Sequence, residues 1–114
     1  MTRFLAELLA DASYYARRAR TYVEDIDFVE FATDEMRREA VCFCLIVVGE
    51  ACDRILKELQ STPPEIPWSD IKAMRNVLVH EYWQIDDVIV YNVALSDAPL
   101  LADMLGEFAK RLER

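Results

Sequence analysis

The chain has 114 residues and a formal charge of −8, from 13 Lys and Arg against 21 Asp and Glu, which fits one acidic domain. Its 54% apolar content excludes a disordered chain and supplies a core without staples. Only two Gly and four Pro are present, where average usage would give about 8 and 6; with no Asn-Gly, Asp-Gly or Gly-Gly pair, a β-sandwich or barrel is excluded.

The periodicity predicts a first helix over Thr2 to Glu24, with Phe4, Leu5, Leu8, Leu9, Ala12, Tyr15, Ala16, Ala19, Tyr22 and Val23 on one stripe. Thr2 is its candidate cap, and Arg17, Arg18 and Arg20 suit the negative end of the helix dipole. Asp25 to Phe31 reads as a loop or single turn pinned by Ile26, Phe28 and Phe31. A second helix runs from about Thr33 to Gln60, with Thr33 and Asp34 as N-cap candidates. One seam on it carries Met36, Ala40, Phe43, Val47, Ala51, Ile55 and Leu59, and a second carries Val41, Leu45, Val48 and Cys52. A helix apolar on two sides needs cover on two sides, from its own bundle or from a second subunit.

Ser61 to Pro67 is an elbow whose Pro63, Pro64 and Pro67 hold an extended path. A third helix begins near Trp68 or Ser69, with Ser69 as its cap and Ile71, Met74 and Leu78 on its buried face, and ends between His80 and Trp83. A fourth, roughly Asp86 to Ala94, and a fifth, Ser96 to Arg111, complete the expected fold. That fold is an all-α antiparallel bundle of four to five helices, one domain over residues 1–114.

Several chemistries are set aside early. His80 is the only histidine and there is no Cys-x-x-Cys pair, so no metal is expected. Neither Gly-x-Gly-x-x-Gly nor a P-loop occurs, and no cofactor is expected. Cys42, Cys44 and Cys52, odd in number and clustered, read as free thiols of a reducing cytosol. Met1-Thr2-Arg3-Phe4 runs straight into an amphipathic pattern rather than a signal peptide. The longest apolar run, Ala40 to Val48, is nine residues, short of the ~20 that span a bilayer. The expectation is a cytoplasmic protein with no membrane segment.

The third helix carries Arg75-Asn76-Val77-Leu78-Val79-His80-Glu81-Tyr82. An imidazole offers a general base or acid near neutral pH, and a guanidinium fork binds phosphate. Asn76 and Tyr82 are placed to position the same group or donate to it. These are the parts needed to attack a phosphodiester without a metal. His80 lies five positions after Arg75, however, which turns them about 140° apart on a straight helix. They converge only if the helix stops before His80 or if two subunits share the site. On residue types alone, helix-end packing and dipole complementarity explain Arg75, His80 and Tyr82 more simply. Gly49, in mid-helix, marks a close backbone approach, and Glu50 is a candidate interior acceptor for Arg75 or the Trp68 indole.

Arg75-Asn76-x-Leu78-Val79-His80-x-Tyr82 resembles the signature of the HepT-like branch of the HEPN superfamily. Gly49-Glu50-Ala51 resembles that family's Gly-Glu-Ala, and Pro64-Glu65-Ile66-Pro67-Trp68 resembles its Pro-Glu-Ile-Pro-Trp elbow, all in the family's order. The resemblance implies the toxin of a type VII toxin–antitoxin pair: a metal-independent endoribonuclease that works as a homodimer, the two motif helices facing across a cleft. It implies Arg75 and His80 as the catalytic pair, Asn76 as a supporting residue, and Tyr82 as supporting residue and adenylylation site. The partner it implies is a small nucleotidyltransferase antitoxin, and the substrate is RNA. The alternative is a non-catalytic helical binding partner of a nucleotidyltransferase. One departure favours that alternative: from Glu65 to Val90, Lys72 and Arg75 face Glu65, Asp70, Glu81, Asp86 and Asp87, where an RNA cleft normally shows a basic stripe. The arginines lie elsewhere, in Arg17-Arg18-Arg20 and Arg37-Arg38.

Overall fold

Thr2 starts the first helix as expected: its Oγ1 accepts the Leu5 N–H at 3.0 Å, satisfying one of the orphan donors of the first turn. In a computed structural model describing residues 1–114, α1 then spans Arg3–Thr21. Asp27 caps a short α2, Phe28–Thr33, where a loop or single turn was expected, and Asp34 caps α3, Glu35–Glu58. The α4 helix is Trp68–His80, followed by a 3₁₀ turn, Tyr82–Gln84, and by α5, Asp87–Leu112. No strand is present, and the fold is an all-α helical bundle. Ser69 does not cap α4. The helix opens on Pro67 with no side-chain cap, and the elbow is closed instead by the Trp68 indole N–H, which donates to the Pro63 carbonyl at 3.0 Å.

The predicted break between a fourth and a fifth helix is absent. Pro99 has no N–H to give the carbonyl four residues back, that of Leu95, and its ring crowds that carbonyl. The helix widens rather than breaks. Val93–Asp97 forms a π-turn in which the Ala98 N–H reaches back five residues to the Val93 carbonyl. Leu95's carbonyl, left without Pro99, accepts from Arg20 Nη1 of α1 at 2.8 Å. The wider turn keeps Val90, Ala94 and Ala98, spaced by four, on the buried face that continues through Leu101, Leu105 and Phe108. By length and composition α5 is apolar enough to cross a membrane; this stripe is instead buried in the bundle core.

The α1 helix lies between α3 and the C-terminal half of α5, burying Leu5, Leu9, Ala12, Ala16 and Ala19, while α4 packs on α3. The two seams of α3 have different fates. Val41, Leu45, Val48 and Cys52 are covered within the chain, so this second face needs no partner. The first seam divides: Ala51 and Ile55 are buried, whereas Met36 and Phe43 stand exposed.

Candidate active site

The geometry around Arg75 begins at Gly49. The two helices approach so closely that a Cβ on Gly49 would lie 2.4 Å from Arg75 Cβ and 2.6 Å from its Cγ. Only glycine leaves room for the arginine stem, which explains a residue that otherwise costs a helix about 1 kcal/mol. Arg75 lies flat over that notch, its side chain 16% exposed, and Nη1 meets Glu50 Oε1 at 2.7 Å. Its buried Nε has no partner. Glu50 is thus the acceptor for Arg75, but a half-exposed one; the Trp68 indole goes elsewhere.

His80 is the last residue of α4, and the Glu81 N–H closes the helix on the Val77 carbonyl. The helix therefore does not end before His80. Arg75 turns toward α3 while His80, exposed, points about 140° away and about 7.5 Å further along the axis. One copy of the chain does not bring them together. Asn76 is half-buried beside Arg75. Tyr82 is 70% exposed on the 3₁₀ turn, with Trp83, 67% exposed, packed edge-on at 5.5 Å between ring centroids. Nothing in the residue pattern singled out Trp83, because an aromatic in a short loop carries no periodicity.

The arginines outside the motif mostly stitch helices together. Arg17 pairs with Asp103 at 2.7 Å, joining α1 to α5. Arg37 binds Asp25 at 2.8 Å and the Tyr22 carbonyl at 3.0 Å, and holds the Asp25 carboxyl below its ordinary range. Arg38 donates to the Ala32 carbonyl at 2.7 Å and lies 3.8 Å from Asp87. Arg18 instead lies over the rings of Tyr14 and Tyr22, at 5.9 and 5.3 Å. Glu65 in the elbow is clipped to Arg111 near the end of α5. None of these forms a free basic stripe beside α4. No cluster of three His, Cys, Asp or Glu side chains is arranged to hold a metal ion. The thiols of Cys42, Cys44 and Cys52 are free, and burial pushes all three upward, Cys52 to about 12. They are poor nucleophiles.

Comparison with known proteins places these features in a family. Residues 12–108 match the family described as Ribonuclease HepT-like. A Methanocaldococcus jannaschii protein named "Putative RNase MJ0125" is 30% identical over 97% of this chain and 96% of its own. "Probable ribonuclease HepT" of Thermococcus cleftensis is 29% identical over 96% of this chain and 97% of its own. "Putative RNase MJ1380" of M. jannaschii is 33% identical over 68% of this chain and 72% of its own. No solved structure matches. With the helical frame, the Gly49 notch under Arg75 and the Arg75–Tyr82 motif in register, the chain belongs to the HepT-like ribonuclease family of the HEPN superfamily.

Proposed function

We propose that this protein is a metal-independent endoribonuclease, acting in the cytoplasm as a homodimer, and the toxin partner of a nucleotidyltransferase antitoxin. The observation that carries the reading is the fixed guanidinium of Arg75. Gly49 seats its stem and Glu50 holds one Nη, which leaves Nη2 for a phosphate oxygen. His80 of a second copy completes the site that one copy leaves divided. Met36, Ala40, Phe43, Val47 and Glu50 recur at intervals of three and four on one side of α3, the side Arg75 reaches through Glu50, and a second copy covers it. His80 takes the proton from a ribose 2′-hydroxyl, whose oxygen attacks the phosphorus as the bond to the 5′-oxygen breaks. Arg75 stabilises the charge on the phosphorane, and Asn76 and Tyr82 position the phosphate and supply the donor to the leaving oxygen. The products are a 2′,3′-cyclic phosphate and a 5′-hydroxyl.

Mixing inactive subunits tests the shared site. Arg75→Ala and His80→Ala homodimers should each fail to cleave, with helicity unchanged and the wild-type rate indifferent to EDTA. Mixed and allowed to exchange, they should recover about a quarter of wild-type activity, since half the dimers are heterodimers with one intact site of two. No recovery in proven heterodimers would remove the shared site, and cleavage by His80→Ala would remove the mechanism.

Regulation is proposed at Tyr82, whose exposed phenol is reachable from solvent. Adenylylation by the antitoxin, in which the phenol oxygen displaces pyrophosphate from ATP and gives up its proton, would add ~329 Da and a negative charge beside Glu81, filling the phosphate's place and competing for Arg75. The mass gain should vanish in Tyr82→Phe. The second reading, a non-catalytic partner of a nucleotidyltransferase, is favoured by the arginines already engaged within the chain. Stoichiometric binding without toxicity or cleavage on expression would select it.

A further inference from the structure

On the core side of α4, away from the Glu50 face, α4 and α5 leave an open groove of about 430 Å³. Leu45 and Val48 of α3, Ile71 and Met74 of α4, and Leu100 and Met104 of α5 line it. Leu100 is 57% exposed at its rim. The only charged side chains lining the groove are Asp70, in the first turn of α4, and Asp97, at the end of the π-turn. Neither has an ion-pair partner, although ten such pairs tie down other charges of the chain.

We infer that this groove docks a basic amphipathic helix of a partner protein, which seats a few apolar side chains between Met74 and Met104 and sets Lys or Arg against Asp70 and Asp97. Charge decides the class of occupant. The two unpaired carboxylates of the groove repel the phosphates of RNA, nucleotides and anionic lipid headgroups at this face, and attract a cationic partner. An apolar floor takes the i, i+3, i+4 and i+7 anchors of a helix, and its two methionines adapt to differing side chains. The π-turn forms part of one wall, and it persists because Pro99 forbids regular helix there. Met74 adjoins Arg75 in sequence, so the occupant would bear on the motif helix from behind.

The chain's methionines provide the test. Met74 and Met104 lie in the groove, and Met1 and Met36 lie outside it. With ¹³C-methyl methionine protein, a synthetic helical peptide of leucine and lysine should shift the Met74 and Met104 signals saturably and leave Met1 and Met36 in place. Its affinity should fall at least tenfold in Leu100→Glu, and likewise in the Asp70→Asn/Asp97→Asn pair. It should hold in Glu30→Gln/Glu35→Gln, which removes the same charge from a remote exposed surface. Equal binding of a leucine–glutamate peptide, equal weakening by the remote pair, or shifts led by Met36 would overturn the inference. So would a dimer that Leu100→Glu alone dissociates, which would give the groove to a second copy. None of these readings depends on RNA cleavage.

Discussion

Replacing Gly49 by alanine sets two effects against each other. Alanine in mid-helix gains about 1 kcal/mol over glycine from propensity. The new Cβ, however, falls 2.4 Å from Arg75 Cβ and 2.6 Å from Cγ, more than ~1 Å inside the ~3.5–4.0 Å at which carbons rest. Those are the first atoms of the arginine stem, so rotating its far end gives no relief; α4 must shift outward. Overpacking of this kind costs about 1–3 kcal/mol. The displaced Arg75–Glu50 pair, 16% and 55% exposed, adds no more than about 1 kcal/mol. The net is about 0–3 kcal/mol of destabilisation, or a Tm lower by up to about 12 °C. Gly106→Ala is the internal comparison. A Cβ there meets nothing within 4 Å, so the propensity gain stands alone and Tm should rise by about 4 °C. Paired thermal melts by circular dichroism decide the matter. If Gly49→Ala stabilises as Gly106→Ala does, the close seating of Arg75 on α3 is wrong.

The Cys52 thiol, raised by burial from 9.0 to about 12, makes alkaline stability a measurable quantity. Between those values the unfolded chain has lost a proton that the folded chain keeps, so stability intact below pH 9 falls as pH rises toward 12; the decline in Tm should be shallower in Cys52→Ala. Arg20→Met should cost about 1–2 kcal/mol by stripping the Leu95 carbonyl of its charged donor. Pro99→Ala returns a backbone N–H near that carbonyl, so the Arg20 substitution should cost about 1 kcal/mol less in that background, a coupling that chemical denaturation of the four-member cycle would measure. Glu50→Gln keeps an acceptor for Arg75 but loses the ion pair; RNA cleavage should fall several-fold, less than in Arg75→Ala, with Tm nearly unchanged.

Much of this arrangement is legible from residue pattern, for physical reasons. Thr2 and Asp34 announce helix starts because their oxygens serve orphan N–H groups a few residues on. Gly49 points to a close approach because glycine otherwise costs a helix stability, a signal that Gly106, where a Cβ would meet nothing within 4 Å, shows is not sufficient alone. What periodicity misses is compensation between distant residues. Ser96 reads as the start of a new helix, yet Arg20, seventy-five residues before Leu95, rescues the carbonyl that Pro99 abandons and one helix runs through. The apolar Val41–Cys52 face invited a partner, but α1 and the other helices cover it. The site is half legible for a related reason. The 140° divergence of Arg75 and His80 and a candidate acceptor at Glu50 follow from the residues alone, whereas that Glu50 takes Arg75 rather than the Trp68 indole depends on how the helices meet.

The edge-on contact between Tyr82 and Trp83 also gives the molecule an optical handle. The chain has two tryptophans; Trp68 is half-buried with its indole N–H committed to a carbonyl, and Trp83 is largely in water. Their fluorescence separates accordingly, Trp68 emitting to the blue and Trp83 to the red. Glu81 and Asp86 flank the outer indole in sequence, so a neutral or cationic quencher reaches it more readily than iodide does. A nucleotide attached at Tyr82, or a second subunit laid over the 3₁₀ turn, would change the light from one indole and leave the other as its reference.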